Sequence, residues 1–323
     1  MKILVCGGAG YIGSHTVKEL IGNHEVVVLD NLTTGNSFLL DSEVIFEEGN
    51  LGDGAILDKI FTEHAIDAVF HFAANSLVGE SVRDPLKYYG NNVGATIVLL
   101  QKMIEHGVDK FIFSSTAATY GIPDSKIITE EMPSTPINPY GRSKRMVEEI
   151  LADISRAHQF KYVVLRYFNA AGAHASGEIG ESHDPETHLI PIILQHLLGQ
   201  RENIAVFGTD YDTPDGTCIR DYIHVTDLAK AHILAYEALR KGSISNEVFN
   251  LGNGTGHSVK EVIGVCEKVA GKSARVEYGE RREGDPAILV ASSGKIGRLL
   301  GWKPDYGLEE IIESAWIWHK GRI

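Results

Sequence analysis

Short, almost continuously apolar runs alternate with amphipathic segments through the first half of the chain. Runs that are apolar on both faces are typical of strands in a parallel sheet, because helices cover such a sheet on both sides. The runs at 3–6, 26–29, 68–72, 111–113 and 163–165 predict strands, and the segments at 16–21, 56–61, 93–104 and 146–154 predict helices. The repeated β-α order predicts an α/β fold with a Rossmann-type doubly wound parallel sheet.

The alternation breaks down after about residue 169. Residues 172–191 are rich in glycine, histidine, serine and acidic residues, which is typical of long loops. Beyond them the pattern predicts helices at 189–198 and 229–239, and strands at 205–207, 219–225 and 248–251. We therefore predict a larger domain at 1–169, whose sheet is completed by about 226–252, and a smaller α/β C-terminal domain at 170–323.

Composition argues against several classes of partner. The chain of 323 residues has a net charge of -13, which opposes binding to the phosphates of a nucleic acid. The first strand follows the initial residues without a leader-like segment, and no apolar stretch approaches about 18 residues, so no membrane partner is predicted. The three cysteines are far apart, which is typical of small buried side chains in a reducing cytoplasm, and we predict no metal site.

A glycine-rich turn joins the first predicted strand to the first predicted helix. Its glycines, Gly7, Gly8, Gly10 and Gly13, fit both Gly-x-x-Gly-x-x-Gly and Gly-x-Gly-x-x-Gly. Such glycines let the backbone approach a pyrophosphate, and the helix N-terminus attracts its negative charge. Asp30 ends the second strand, where a carboxylate can accept both ribose hydroxyls and would repel a 2′-phosphate. The larger domain is therefore predicted to bind NAD rather than NADP.

Tyr140 and Lys144 are four residues apart in a segment with helical signals. Asn138 is a suitable helix cap and Pro139 a suitable first residue. The tyrosine and the lysine would then lie on one face of the helix, a turn apart. Because an ammonium beside a phenol favours the phenolate, we expect a lowered pKa for Tyr140 and a role in proton transfer.

Two other strands end in residues that suit a bound dinucleotide. Residues 72–74 are Phe-Ala-Ala, small where a ligand must lie close, and residues 114–116 are Ser-Ser-Thr. Ligands of doubly wound sheets bind beyond the carboxyl ends of the strands. The hydroxyl of Thr116, the phenol of Tyr140 and the ammonium of Lys144 beside a nicotinamide predict a site that oxidises an alcohol.

Together these motifs resemble the extended short-chain dehydrogenase/reductases and, within them, the UDP-sugar 4-epimerases. The resemblance extends over essentially the whole chain and is carried by residues 7–15, 30–32, 71–74, 78–81, 88–93, 114–121, 165–169, 208–211, 215–225 and 281–285. The stretch 205–225 is the part most specific to epimerases. The resemblance implies that NAD oxidises UDP-galactose or UDP-glucose at C4, that the 4-keto sugar rotates, and that hydride returns to its other face. NAD should then remain tightly bound.

The resemblance also implies roles for individual residues. Tyr140 would remove the proton of the 4′-hydroxyl, Lys144 would bind the nicotinamide ribose, and Thr116 would hydrogen-bond the sugar oxygen. The positions implied at NAD are Gly7, Gly10, Tyr11, Ile12, Gly13, Asp30, Asn31, Gly35, Asn50, Leu51, Phe72, Ala73, Ala74, Asn92, Ser114, Tyr140, Lys144 and Phe168. Those implied at the UDP-sugar, mostly in the smaller, substrate-binding domain, are Thr116, Asn169, Leu189, Phe207, Arg220, Arg282, Asp285 and Leu289. A homodimer formed by helices of the larger domain is implied as well.

Several positions differ from the residues that are common in the family or bear on which sugar is bound. Ser76 stands where a lysine is often found near the pyrophosphate, and Asn50 stands where a carboxylate is found by the adenine. His188 stands where an asparagine is common in the substrate loop, so its own contact is left open. Leu289 is smaller than the aromatic side chain that would exclude N-acetylhexosamines, so some activity on UDP-N-acetylglucosamine is expected. His71 is interpreted as a packed, structural histidine.

Two alternatives to an epimerase remain open. The first is a nucleotide-sugar 4,6-dehydratase or decarboxylase on the same fold; such dehydratases place Asp-Glu directly after the active-site threonine, as acid and base. Here Ala117 and Ala118 follow Thr116 and can transfer no proton, which favours epimerisation. The second alternative is a non-catalytic NAD-sensing protein, which would not need the threonine, tyrosine and lysine together.

Overall fold

The computed structural model of the protein describes residues 1–282 and 285–322. In chain order its strands are β1 (Lys2–Cys6), β2 (Glu25–Asp30), β3 (Ile45–Glu48), β4 (Ala68–His71), β5 (Lys110–Thr116), β6 (Ile127–Ile128), β7 (Lys161–Tyr167), β8 (Asn169–Ala171), β9 (Ile204–Phe207), β10 (Ile219–His224), β11 (Glu247–Leu251), β12 (Gly256–Ser258), β13 (Val276–Gly279) and β14 (Ile288–Ala291). Its α-helices are α1 (Tyr11–Ile21), α2 (Gly54–Glu63), α3 (Val78–Arg83), α4 (Pro85–Tyr88), α5 (Thr96–Glu105), α6 (Pro139–His158), α7 (Leu189–Leu197), α8 (Val225–Lys241), α9 (Val259–Ala270), α10 (Gly294–Leu300) and α11 (Leu308–Lys320).

The elements predicted from apolar runs are confirmed, with bounds that differ by a few residues at most ends. The helix predicted at 146–154 is α6 of 20 residues, because Asn138 caps it by accepting from the amide of Gly141 and Pro139 opens it. The helix predicted at 93–104 is interrupted: a π-helical turn at Tyr89–Ala95 precedes α5. The apolar runs did not indicate α9, α10 and α11.

Contacts divide the chain into two compact units. The first comprises Met1–Gly121, Glu131–Arg166 and Ala229–Phe249. The second comprises Ile122–Glu130, Tyr167–Leu228 and the described residues from Asn250 onward. The domain boundary at 169/170 stays a prediction.

The first unit is built on a seven-stranded sheet in the order β11-β7-β5-β4-β1-β2-β3. Strands β1, β2, β3, β4 and β5 pair in parallel. From β1 the chain fills one side of the sheet through β2 and β3, and then returns to the other side with β4. That reversal is the switch point at which doubly wound sheets bind their ligands, so the predicted fold class is confirmed.

The core of the first unit follows from the apolar strands. Leu4, Val69 and Phe111, on three neighbouring strands, are fully buried in one cluster that Leu99 of α5 and Val147 of α6 complete. Helices on both faces of the sheet explain why the strands carry no polar face. This packing fixes the ends of β1, β4 and β5, where the candidate site lies.

The second unit contains a mixed sheet in the order β12-β10-β14-β6, with β8 also paired to β10. A separate two-stranded sheet pairs β13 with β9. Helices α7, α9 and α11 share a buried apolar cluster that includes Ile193, Val262 and Ile312. Within the residues described, no helix combines the length and the apolar character needed to cross a membrane.

Candidate active site

The glycine turn between β1 and α1 lies against the end of β4. Gly7 has a φ of +79°, and a Cβ there would come within 2.5 Å of the amide nitrogen of Ala73. A Cβ on Gly13 would come within 2.1 Å of the carbonyl oxygen of Gly7. The first turn of α1 contains no acidic residue, so no side-chain charge offsets the partial positive charge of the helix N-terminus. This bare backbone cradle fits the pyrophosphate of a dinucleotide.

Asp30 is fixed at the end of β2 by backbone amides. Its Oδ2 accepts from the amide of Ala9 in the glycine turn at 2.9 Å, and its Oδ1 accepts from Leu32 at 2.9 Å. Gly35 lies beside it, since a Cβ there would be 2.9 Å from Oδ1. Burial raises the pKa of this carboxyl, against the opposing effect of the amide bonds. The structure thus brings Asp30 and Gly35 to the glycine turn, where a ribose would follow the pyrophosphate.

Asn92 connects the loop after β4 to the helix that carries Tyr140. Its amide group exchanges two hydrogen bonds of 2.9 Å with the backbone of Asn75 and donates a third to the hydroxyl of Ser143 at 3.0 Å. That hydroxyl donates to the carbonyl of Tyr140 at 2.7 Å. Asn92 was implied at NAD, which stays a prediction; the structure adds that it positions α6. Ser143 was not identified from the sequence.

Tyr140 meets Thr116 at the end of β5. The approach is close because Gly141 lies against the turn that follows β5, where a Cβ would be 2.4 Å from the carbonyl oxygen of Ala118. Burial raises the pKa of Tyr140, and a smaller effect of the Thr116 side chain lowers it. The predicted lowering of this pKa by Lys144 is therefore wrong.

Lys144 is buried one turn beyond Tyr140. Its Nζ donates to the carbonyl oxygen of Ser114 at 2.8 Å and lies 4.9 Å from the centre of the Phe113 ring. Burial lowers the pKa of Lys144 to about 7, against the opposing effect of Glu148.

A buried ionic group supports the strand and the helix from behind. Glu148 accepts from the hydroxyl of Ser115 at 2.6 Å and from Nε of Arg166 at 2.9 Å. The guanidinium of Arg166 lies 4.8 Å from the centre of the Tyr120 ring. The sequence analysis missed this group, although a carboxylate on the same helix face as Tyr140 and Lys144 was a signal.

Histidines pack beneath the site. His71 is 1% exposed and its Nε2 lies 2.8 Å from the hydroxyl oxygen of Thr96, so the prediction of a packed histidine is confirmed. Burial, with a smaller effect of Lys144, lowers its pKa to about 3. His232, which the sequence analysis did not single out, lies under the Phe72 ring at 4.8 Å between centroids.

In the second unit, Arg220 and Leu289 lie side by side in the parallel pairing of β10 and β14. Arg220 forms an ion pair with Asp285. The guanidinium of Arg282 stacks 4.3 Å from the centre of the Phe207 ring. A cavity of about 890 Å³ is lined by Arg282, Asp285 and their neighbours Ile122, Asp210, Tyr211, Asp212, Arg281, Pro286 and Ala287. Strand pairing, ion pairing and stacking thus group five of the implied substrate positions: Phe207, Arg220, Arg282, Asp285 and Leu289.

The remaining implied positions are spread over both units. In the first unit, Asn31 accepts from the amide of Thr33, and Asn50 accepts from the amide of Gly52. In the second unit, the side chain of Asn169 donates to the carbonyl of Asp221 at 2.9 Å. The other positions are Tyr11 and Ile12 in the first turn of α1, the buried Leu51, Ala74 after β4, Phe168 between β7 and β8, and Leu189 at the start of α7. Their roles stay predictions.

The sheet order and the site chemistry of the first unit together define a class of protein. It is a dinucleotide-binding α/β protein whose phenol, hydroxyl and amine are suited to moving a proton at an alcohol. The chain belongs to the NAD dependent epimerase/dehydratase family, whose model matches residues 3–252. NAD is the cofactor of this family, and the glycine turn with Asp30 fits it.

Individual relatives and solved structures are similar to the chain over almost its whole length. The UDP-glucose 4-epimerase of Halalkalibacterium halodurans is 58% identical over 99% of this chain and 96% of the relative. A crystal structure of a UDP-glucose 4-epimerase is 52% identical, covers 100% of this chain and 98% of its own, and superposes with a TM-score of 0.98. The UDP-glucose 4-epimerase from Brucella ovis in complex with NAD is 48% identical, with coverages of 98% and 97% and a TM-score of 0.95.

Proposed function

We propose that the protein interconverts UDP-galactose and UDP-glucose by transient oxidation at C4 of the sugar. The main support is the position of Tyr140 one helical turn from the buried amine of Lys144, which donates to the strand that ends in Thr116. The proteins that are similar to this chain are named UDP-glucose 4-epimerase, after the same reaction. Bound NAD supplies the acceptor and donor of hydride in such a reaction.

Tyr140 is proposed to take the proton of the 4′-hydroxyl and to return it after the sugar has turned. Thr116 is suited to assist, because its side chain lowers the pKa of the phenol and so favours the phenolate. Lys144, whose pKa burial lowers to about 7, can hold or release a proton within the working range. Because hydride is removed and returned in one turnover, the cofactor should not need to exchange.

The UDP moiety is assigned to the second unit. Arg220 and Arg282 supply guanidinium groups, which bind phosphate oxygens in a bidentate fashion. Phe207, Asn169, Leu189 and Asp285 complete the proposed set. We also propose the domain assignment of residues 1–169 to NAD and 170–323 to substrate.

Activity on UDP-N-acetylglucosamine is proposed as a second property of the same site. Leu289 lies beside Arg220 in the β10–β14 pairing, and leucine leaves more room than an aromatic side chain would. Steady-state rates on both sugars test this point. A hexosamine rate at background, beside a robust glucose rate, would reject it.

The alternative reactions are less well supported. A dehydratase needs an acid and a base to remove water, yet the residues after Thr116 are Ala117, which is 3% exposed, and Ala118. A protein that only senses NAD does not need a buried lysine with a pKa of about 7 one helical turn from a buried phenol.

A cytoplasmic homodimer is proposed for the assembly. Val78 and Val82 of α3 and Leu86 of α4 are 45%, 62% and 79% exposed, which groups apolar surface on two consecutive helices of the first unit. Such grouping is typical of interaction surfaces. Sedimentation of Val82→Asp/Leu86→Asp beside the unaltered protein tests it, and an unchanged sedimentation coefficient would count against this surface.

The function is tested by incubating the purified protein with UDP-galactose and no added NAD. An epimerase with retained cofactor converts the substrate to UDP-glucose through many turnovers, whereas a dehydrogenase stops after one oxidation. Tyr140→Phe is the variant expected to lose conversion, and Tyr278→Phe, at a tyrosine that is 59% exposed, is the matched control. A 4-keto-6-deoxy product would establish the dehydratase instead.

A further inference from the structure

Four potential metal ligands converge in the loop that leads into α7. Glu181, His183, Glu186 and His188 lie within eight consecutive residues, and their ligand atoms all lie within 4.8 Å of one another. Glu181 and Glu186 are only 3% and 7% exposed. Buried carboxylates are costly unless paired, so this grouping requires positive charge within it.

The oxygen of Glu181 is directed into the cluster. Its Oε1 lies 2.7 Å from Nδ1 of His188 and 3.2 Å from Nδ1 of His183. This atom is buried, and its partners are the two imidazole nitrogens, although neither contact has the geometry of a regular hydrogen bond among the described residues. Two imidazole nitrogens therefore face one buried oxygen, as ligand atoms do around a common centre.

The spacing of the four atoms suits tetrahedral coordination. Bond lengths of about 2.0–2.2 Å to zinc place neighbouring ligand atoms about 3.3–3.6 Å apart. Besides the 2.7 and 3.2 Å contacts of Glu181, Oε1 of Glu186 lies 3.3 Å from Nδ1 of His188, and its Oε2 lies 3.8 Å from Nδ1 of His183. These distances bracket the tetrahedral value.

Outer hydrogen bonds orient the carboxylate of Glu186 and hold the backbone of Glu181. Oε1 of Glu186 accepts from the amides of Thr187 at 2.8 Å and His188 at 2.9 Å, which leaves Oε2 for another partner. The indole of Trp318 donates to the carbonyl of Glu181 at 2.8 Å. Such outer contacts are typical of metal sites, where they fix the orientation of each ligand.

Charge balance is the same for two protons and for one divalent ion. With both histidines protonated, two imidazolium charges offset two carboxylates; with both neutral, a dication does the same. A metal ion can therefore replace the two protons without leaving a net charge behind.

We propose that Glu181, His183, Glu186 and His188 form a binding site for a divalent transition-metal ion, with Zn²⁺ as the preferred occupant. Two imidazole nitrogens with two carboxylates suit zinc, whereas Mg²⁺ and Ca²⁺ prefer oxygen ligands alone. Four protein ligands make the site closed, so the ion is structural. It clamps the loop immediately before Leu189, the first residue of α7.

A second acidic cluster on the chain serves as a contrast. Glu47, Glu63 and His64 also bring three potential ligand atoms together. Glu63 there is exposed, and Glu47 is paired with Lys59 at 2.8 Å. It offers a single imidazole and no fourth ligand in the described chain, so it lacks a complete set of ligands for a tetrahedral ion.

The experiment measures metal binding rather than turnover, so its outcome is independent of the proposed function. The full-length protein is stripped with a chelator, dialysed, and titrated with Zn²⁺, and bound zinc is counted by mass spectrometry. Co²⁺ is titrated in parallel, because a tetrahedral site gives intense visible absorption bands. One zinc per chain and a tetrahedral Co²⁺ spectrum are expected.

Variants assign the binding to the four residues. His183→Gln and His188→Gln should each weaken Zn²⁺ binding by about a hundredfold or more, given that even outer contacts are worth about 10–100-fold. His158→Gln, at an exposed histidine at the end of α6, should bind like the unaltered protein. The proposal is overturned if the unaltered protein binds no zinc, if both cluster variants retain full affinity, or if Co²⁺ gives only an octahedral spectrum. The last outcome needs no variant and holds even where a substitution impairs folding.

Discussion

The Nζ of Lys144 lies 2.8 Å from the carbonyl oxygen of Ser114, the residue two positions before Thr116 on β5. This bond connects the helix that carries Tyr140 to the strand that carries Thr116. Lys144 is also buried, and this burial lowers its pKa to about 7. The amine that the sequence suggested as a fixed positive charge is therefore a titrating group.

Replacing Lys144 should change how stability depends on pH. The folded-state pKa lies below the usual value of 10.5, so between about pH 7 and 10.5 the unfolded chain binds more protons than the folded one. By linkage, this difference makes the free energy of unfolding rise with pH over that window, by at most about 1.4 kcal/mol per pH unit. Urea titrations of Lys144→Met should lack this component of the slope. Lys126→Met, at an exposed lysine, is the control; equal slopes in all three proteins would contradict the lowered pKa.

Tyr140→Phe should reduce turnover on UDP-galactose by on the order of a hundredfold or more, because the variant retains the ring but cannot exchange a proton. Initial rates at saturating substrate measure the effect, and bound NAD should be unchanged. A rate within a few-fold of the unaltered protein would show that another group moves the proton.

Gly13→Ala should abolish NAD retention. Its Cβ would be placed 2.1 Å from the carbonyl oxygen of Gly7, so the turn must deform where the pyrophosphate is expected. Gly22→Ala, at the other end of α1, meets no atom within 4 Å and is the matched control. The ratio of NAD to protein after gel filtration is the measurement. Full NAD content in Gly13→Ala would contradict the assignment of the cradle.

Glu148→Gln should destabilise the fold by about 3–5 kcal/mol, because it leaves the buried guanidinium of Arg166 without its charge partner. Glu149→Gln changes the adjacent residue, whose carboxylate is 58% exposed, and should cost less than about 1 kcal/mol. Both values come from chemical denaturation at neutral pH. Equal effects of the two substitutions would mean that the buried pair is not needed for stability.

Leu289→Tyr should lower activity on UDP-N-acetylglucosamine by roughly tenfold or more relative to UDP-glucose, because a larger ring would fill the room left for the acetamido group. The ratio of kcat/KM values for the two sugars is the measurement. Leu289→Ile, which keeps the side-chain volume, is the control. An unchanged ratio in Leu289→Tyr would place the 2-substituent elsewhere.

Local sequence signals predicted the elements that support the site. The apolar strands, the glycine turn, the Asn138 cap and Pro139 each depend on near neighbours in the chain, and the structure confirms them. The ionic group of Ser115, Glu148 and Arg166 joins β5, α6 and β7, so no pattern of near neighbours in the chain predicted it. Helices α9 and α11 were missed because only the apolar runs of the first half formed a clear rhythm.

The sequence by itself determined the doubly wound sheet, the dinucleotide turn and the pairing of Tyr140 with Lys144 on one helix face. Only the tertiary structure decided the charge states at the site, because a pKa depends on burial and on groups that distant segments contribute. Burial reversed the expected shift of Tyr140. Folding of the loop likewise brought Glu181, His183, Glu186 and His188 together, since side chains in an irregular segment have no period from which their meeting could be predicted.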